Sequence, residues 1–203
     1  MSRRKRKRSL RRAGCLLLLL LLAIAAAALW FRDDLRDYTV DDTCYTAEIA
    51  AAAERYGLSP QLVRAVVFQE SRFDPEARGK AGEVGLMQVL PAGAGTEWAR
   101  MNDRPVPTVR ELENPVFNLN VGCWYLEQGM RRYAGYRADT ELALARYNAG
   151  QSRADKWRPE ERGGDMIGLI SIPSTQRYVT QIMRRYHRYM EENPKQVPPE
   201  PLP

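Results

Sequence analysis

Between positions 60 and 73 apolar residues return at helical spacing, with Val63, Val66, Val67 and then Glu70 at i, i+3, i+4 and i+7. A carboxyl therefore shares one helix face with three valines. Either an arginine (Arg64, Arg72 or a more distant one) neutralises it, or a raised pKa is its purpose. The pattern predicts a helix from about Pro60 to Arg72, with Ser59 as N-cap, Pro60 at the first position and Asp74-Pro75 as the stop. Before it, Ile49, Ala50, Ala53 and Tyr56 predict a helix over about Thr46–Tyr56, ended by Gly57. Later, Leu119, Cys123, Leu126, Met130 and Tyr133 mark a buried face on a helix over about Phe117–Tyr133. Helices over about Thr140–Tyr147 and Thr175–Glu191 follow, the last with Tyr178, Val179, Ile182, Met183 and Tyr186 on one side. Between these lie a glycine-rich loop or small hairpin (76–95), a proline-rich surface loop (102–115) and a loop with one short helical turn (151–173). Short connections between helices indicate a mainly α domain.

The N-terminus changes the picture. Cys15 to Phe31 is an uncharged stretch containing seven consecutive leucines, preceded by eight basic residues and followed by Arg32-Asp33-Asp34. Basic residues before an apolar run give an N-terminus-inside orientation. A cleaved signal would use the small residues Ala25 to Ala28; an uncleaved anchor would span the membrane. Continuation of the run through Leu29-Trp30-Phe31 favours the anchor. The layout is then a basic cytoplasmic segment 1–14, an anchor or signal segment 15–31, a stalk 32–44, a domain 45–190 and a Pro-rich tail 191–203. The net charge of +6 resides in the first segment, since the remaining chain holds 23 basic against 25 acidic residues. The basic pI thus gives no case for nucleic-acid binding. Cys44 and Cys123 could pair outside the cytoplasm, or Cys123 could be a core thiol on its helical stripe. A single histidine, His187, and no cysteine cluster argue against a zinc amidase or peptidase.

Four motifs stand in fixed order: Glu70-Ser71 with Asp74-Pro75; Gly85-Leu86-Met87-Gln88; Tyr147-Asn148-Ala149-Gly150; and Ile172-Pro173 before Thr175-Gln176-Arg177-Tyr178-Val179. Together with Asn118-Leu119-Asn120-Val121-Gly122, they resemble the soluble lytic transglycosylase family (transglycosylase SLT domain), which is related to goose-type lysozyme. The resemblance covers about residues 45–190. It implies a lysozyme-like α+β, mainly α fold. It implies cleavage of the β-1,4 bond between N-acetylmuramic acid and N-acetylglucosamine of peptidoglycan, leaving 1,6-anhydromuramyl ends, without metal or cofactor. Glu70 would be the sole acid/base. Ser71, Gly85, Met87 and Gln88 would line the glycan cleft, Tyr147 and Asn148 would sit beside the carboxyl and the muramyl sugar, and Tyr178 would stand near Glu70. The implied location is the bacterial cell envelope, outside the inner membrane. The chain departs from the family where Gly79-Lys80-Ala81-Gly82-Glu83 replaces a hydroxyl-bearing Ser/Thr-x-x-Gly-Ala run, where Arg146 replaces an alanine, and where Ile170 replaces a glutamate.

Most glycosidases use two carboxylates, and the sequence offers no clear second one; Asp74 reads as part of the helix stop. With one carboxyl, the substrate's N-acetyl oxygen must assist at the anomeric carbon. Burial against the valines and a place in the last helical turn both disfavour the Glu70 anion, as a general acid requires. Two alternatives remain: a muramidase hydrolysing the same bond with water, and an inactive membrane-tethered glycan-binding module.

Overall fold

The computed structural model describes Leu21 and residues 40–192; the predicted cytoplasmic segment, the rest of the predicted anchor, most of the stalk and most of the Pro-rich tail lie outside the described residues. The elements run α1 (Thr46–Arg55), α2 (Pro60–Ser71), α3 (Thr96–Met101), α4 (Val109–Leu112), α5 (Pro115–Arg132), α6 (Asp139–Ala149), α7 (Gln151–Ala154) and α8 (Pro173–Glu192). Two isolated antiparallel bridges, Arg78 with Val84 and Val84 with Val89, are the β structure among the described residues. No helix among them is long and apolar enough to cross a membrane.

The five long helices fall where periodicity places them. Gly57, at φ 63°, closes α1 by donating from its own N–H to Glu54, a conformation that favours glycine. Ser59 stands before Pro60, but its hydroxyl goes to Gln61 Oε1 at 2.8 Å and does not cap the helix. The stop of α2 comes earlier than Asp74-Pro75. Arg72 and Phe73 take left-handed φ values of 53° and 66°, and Asp74 instead accepts from the Glu76 N–H at 2.9 Å, organising the next turn. The one short turn expected within 151–173 is α7, whereas α3 and α4 were not foreseen. α4 lies inside the expected surface loop and begins at a reciprocal Thr108–Glu111 capping box. α3 is too short to show a hydrophobic period.

The core is helix on helix. Helix α8 packs on α2 and α6, α5 packs on α6, and α1 packs on both α5 and α2. Val63, Val66, Val67, Leu119, Leu126, Leu142, Leu144, Val179 and Ile182 are fully buried, and their burial is the main driving force for this assembly. At Gly129 the two backbones meet closely, since an added Cβ would lie 3.1 Å from Ala143 Cα. The start of the domain is tied in as well. Asp42 accepts from Arg64 at 2.8 Å and from the Tyr189 hydroxyl at 2.6 Å, joining it to α2 and α8. No disulfide links Cys44 to Cys123. The Cys123 thiol is buried against Met87 Sδ at 3.8 Å, and burial holds its pKa well above the usual thiol value.

One buried polar side chain, Asn118 on the apolar face of α5, fixes the glycine-rich loop to the helices. Its Nδ2 donates to the carbonyls of Val84 and Leu112, both at 2.8 Å, and its Oδ1 accepts from the Met87 N–H at 2.8 Å. Gly85 is required beneath it: its φ is 78°, and a Cβ there would stand 2.4 Å from Asn118 Nδ2 and 2.5 Å from the Leu112 carbonyl oxygen. Replacing Asn118 by Ala orphans three buried backbone groups, and we expect a loss of roughly 2–4 kcal/mol in chemical denaturation. An unchanged denaturation midpoint would show that the loop does not depend on this amide.

Candidate active site

The site forms where the end of α2, the loop 84–89, the end of α6 and the first half of α8 converge. Glu70 is half-buried in the last turn of α2, on the face shared with the valines. Its Oε1 accepts a hydrogen bond of 2.5 Å from the hydroxyl of Tyr178, which is buried on α8. The arginine proposed as a possible partner, Arg64, is held by Asp42. Burial raises the Glu70 pKa to about 7; the Tyr178 hydrogen bond opposes this by favouring the anion, and the negative charge of Glu83 adds to the rise. No cation enters that balance. Burial, the largest of these influences, is what lifts the acid toward neutrality.

The loop opposite Glu70 is built from backbone groups pinned by side chains. Ser71 donates to the Leu86 carbonyl at 2.8 Å, joining the end of α2 to the loop. The Tyr147 hydroxyl donates to the Met87 carbonyl at 2.7 Å. Gln88 sits at a left-handed φ of 47°, and its Nε2 donates to the carbonyls of Ala77 and Gly85 at 3.1 and 3.0 Å. Tyr147 is half-buried, and its ring meets Tyr125 edge-on at 5.4 Å. Burial, followed by the negative charge of Glu70, pushes the Tyr147 and Tyr178 pKa values well above the ordinary tyrosine value, so both remain proton donors.

The structure thus brings Glu70, Ser71, Gln88, Tyr147 and Tyr178 together, but not all as a lining. Gly85 and Met87 are buried, the Met87 side chain against Gly122 and Cys123, where an added Gly122 Cβ would lie 2.5 Å from Met87 Sδ. These two residues shape the site from behind and present backbone only. The amide nitrogen of Gln88 is likewise spent on its own loop. Asn148 is exposed, and its Oδ1 accepts from the buried Thr175 hydroxyl at 2.8 Å. Sequence reasoning assigned no role to Thr175, Asn118 or Glu83. Asn118 had a signal, a polar residue on an otherwise apolar helical stripe. Thr175 stands in the motif 175–179 and Glu83 in the run 79–83, but their contacts are not readable there, since both arise from tertiary proximity.

A mainly helical domain with a half-buried carboxyl at a helix end, bonded by a tyrosine and joined to a loop built from pinned backbone groups, belongs to the lysozyme-like class of folds. The family model for the Transglycosylase SLT domain matches residues 47–167, and the chain belongs to that family. It is 34% identical over 140 residues to membrane-bound lytic murein transglycosylase E of Buchnera aphidicola, covering 67% of this chain and 63% of that protein. It is 31% identical over 132 residues to the soluble lytic murein transglycosylase of Escherichia coli K12, covering 62% of this chain and 20% of that protein. The chain therefore spans less than two thirds of the length of these relatives. Among solved structures, an inactive glutamate-to-glutamine mutant of lytic transglycosylase Slt from Pseudomonas aeruginosa superposes with a TM-score of 0.66 at 28% identity, covering 77% of this chain and 25% of that one. The 70 kDa soluble lytic transglycosylase of E. coli gives a TM-score of 0.63 at 25% identity, covering 73% of this chain and 25% of that one. The described fold is thus the mainly helical, lysozyme-like fold of these enzymes.

The pKa of Glu70 has a consequence for stability that does not depend on substrate. With a folded-state value of about 7 against an ordinary 4.5, the folded protein holds the proton more tightly than the unfolded chain. Stability from this group is then fully present below pH 4.5 and is lost as pH rises through about 7. Glu70→Gln, which does not ionise, should melt close to wild type at pH 4 and become more stable than wild type above pH 7, by about 1–3 kcal/mol. Thermal or urea melts across pH 4–8 read this directly; a difference between the two proteins that does not vary with pH would contradict the raised pKa.

Proposed function

We propose that the chain is a peptidoglycan lytic transglycosylase, cleaving the β-1,4 bond between N-acetylmuramic acid and N-acetylglucosamine to leave a 1,6-anhydromuramyl end. The observation that carries this reading is the Glu70 carboxyl, its pKa raised by burial and its Oε1 bound by the Tyr178 hydroxyl, in a family whose named relatives are lytic murein transglycosylases. Its support includes a structural neighbour inactivated by a glutamate-to-glutamine exchange.

In the first step Glu70 gives its proton to the glycosidic oxygen, and N-acetylglucosamine leaves with its 4-hydroxyl restored. The acetamido oxygen of the muramyl residue bonds to its own anomeric carbon as the C–O bond breaks. In the second step the Glu70 carboxylate takes the proton of the muramyl 6-hydroxyl. That oxygen then bonds to the anomeric carbon and displaces the acetamido oxygen, and Glu70 ends protonated as it began. No water is consumed. Tyr178 steadies the carboxylate between the two transfers, through the hydrogen bond that opposes burial. Asn148, oriented by Thr175 at its oxygen, offers its amide nitrogen to the acetamido carbonyl. Tyr147 and the Gln88 amide oxygen flank the sugar, with Gly85, Met87 and Ser71 holding the loop that faces it.

The same reading places residues 1–14 inside the cytoplasm, 15–31 in the inner membrane as an anchor or cleaved signal, and the domain of residues 45–190 on the glycan side. Membrane-bound names among the relatives support the anchor. A second reading, hydrolysis by water, is favoured by one observation. Glu83 is near enough for its charge to raise the Glu70 pKa, so a second carboxylate stands by the site.

Two measurements test the proposal. Mass analysis of digested peptidoglycan should show products lighter by one water than hydrolysed fragments, and Glu70→Gln should lower their yield by about 10²–10⁴-fold while the protein stays folded. Hydrolysed ends instead, lost in Glu83→Gln, would establish the muramidase. The pH profile gives an independent check. Activity should fall as pH rises through about 7, the value at which Glu70 gives up its proton. Removing the charge in Glu83→Gln should move that limb to lower pH, and removing the hydrogen bond in Tyr178→Phe should move it to higher pH. Shifts in the same direction for both variants would be incompatible with Glu70 as the titrating acid.

A further inference from the structure

Apart from the site around Glu70, an open pocket of about 440 Å³ lies between α3, α5, α6 and α7. Its walls include Arg100, Trp124, Gln128, Arg146 and Gln151, with Glu97 at the side. Arg146 lies near the end of α6, one residue before Tyr147. Its side chain is 5% exposed, and it donates to the Tyr125 carbonyl at 2.9 Å, but its Nε is buried without a hydrogen-bond partner. Its other hydrogen-bond partner is distant, the half-exposed Glu97 at 3.5 Å from Nη2. Two other arginines of the pocket are already neutralised, Arg131 by Glu127 and Arg132 by Asp155. Arg100 is exposed and has no ion-pair partner among the described residues. The pocket thus has two cations, one of them a buried fork with an unused donor, against the single carboxylate of Glu97. Buried polar groups are nearly always partnered, and a guanidinium fork fits a carboxylate in two-point fashion.

We propose, resting on the peptidoglycan reading above, that this pocket holds a carboxylate of the peptide stem carried by the muramyl residue, which displaces Glu97 from Arg146. The pocket is connected to the cleft through a short stack. The Arg146 guanidinium lies 4.1 Å from the Tyr125 ring centre, and Tyr125 lies 5.4 Å from Tyr147. An extended peptide of about three residues spans ~10 Å, the scale of these two ring contacts taken together. Trp124 supplies an apolar wall for the stem's methyl and methylene groups, while Gln128 and Gln151 supply amides for its backbone. Arg146 and Arg100 would then set a preference for peptide-bearing over naked glycan, without touching the reacting bond.

The test is equilibrium binding to the full chain carrying Glu70→Gln, so that turnover does not interfere. The two probes are glycan strands bearing their stem peptides and the same strands stripped of peptide by an amidase. We expect the peptide-bearing strands to bind about tenfold tighter or more. Arg100→Glu, at an exposed position, should abolish that difference and leave the stripped strands bound as before. Arg146→Lys keeps the charge but loses the fork, and should reduce the difference in part. No preference in the parent protein, or an Arg100→Glu effect that is equal on both probes or absent from both, overturns the proposal. The last pattern would leave the pocket to an acidic segment of another protein. The product analysis above is separate: hydrolysed ends would refute the transglycosylase reading and leave the binding difference intact.

Discussion

The Tyr178 hydroxyl reaches Glu70 at 2.5 Å because α2 and α8 pack along each other. Neither helix could place that contact alone. The valines of α2 and the Val179 and Ile182 pair of α8 exclude water from the seam, and the exclusion that stabilises the seam also resists ionisation of the carboxyl lodged beside it. The same apolar packing that holds the fold together thus raises the pKa of Glu70. Surrounding charges are kept from cancelling the effect. Arg64, six residues before Glu70 on α2, is drawn to Asp42 and stacks on Tyr189, 4.0 Å from its ring centre.

Across the cleft, a stretch with almost no regular structure is made rigid by polar side chains bonding to its carbonyls. Asn118, Ser71, Tyr147 and Gln88 between them occupy the carbonyls of Ala77, Val84, Gly85, Leu86 and Met87. An unpaired backbone group in such a half-buried position costs about as much as a lost hydrogen bond, so these residues hold the loop in one conformation. They also account for the left-handed backbone at Gln88. A non-glycine residue stays at φ 47° only where its surroundings over-determine it, and the double donation of its own amide is part of that constraint.

Much of this was legible in the sequence. The stripe ending in Glu70, the stripe through Leu119 and Leu126, and the glycine closing α1 all follow from helical periodicity and backbone stereochemistry. The carboxyl on an apolar face was readable as an anomaly, and its raised pKa in direction. What stayed hidden depended on tertiary contact. Gln88 and Met87 stand in a conspicuous motif, but which way a loop side chain turns has no periodic signature; both turn inward. The possible Cys44–Cys123 pair was consistent with an oxidising compartment, yet Cys123 packs on Met87. Thr175 gains its role from the fold of a chain segment 27 residues away. The short helix α3 spans less than two turns, so local propensity leaves little trace of it.

The opposed influences on Glu70 have a meaning beyond the value at which they settle. In the proposed cycle the same carboxyl gives a proton to one oxygen and then takes a proton from another. A carboxyl raised by burial alone would be a weak donor, slow in the first step. One lowered by a cation would arrive already ionised. Burial pushing upward and the Tyr178 hydrogen bond pulling downward leave it near neutrality, where donation and acceptance are close to balanced. The tyrosine, unlike an arginine, can do this without adding charge. Its own raised pKa keeps it a donor throughout, so the carboxylate formed midway is met by a hydrogen bond that was already in place. In the proposed cycle a neutral donor beside an apolar seam would let one carboxyl serve both steps, where most glycosidases use two.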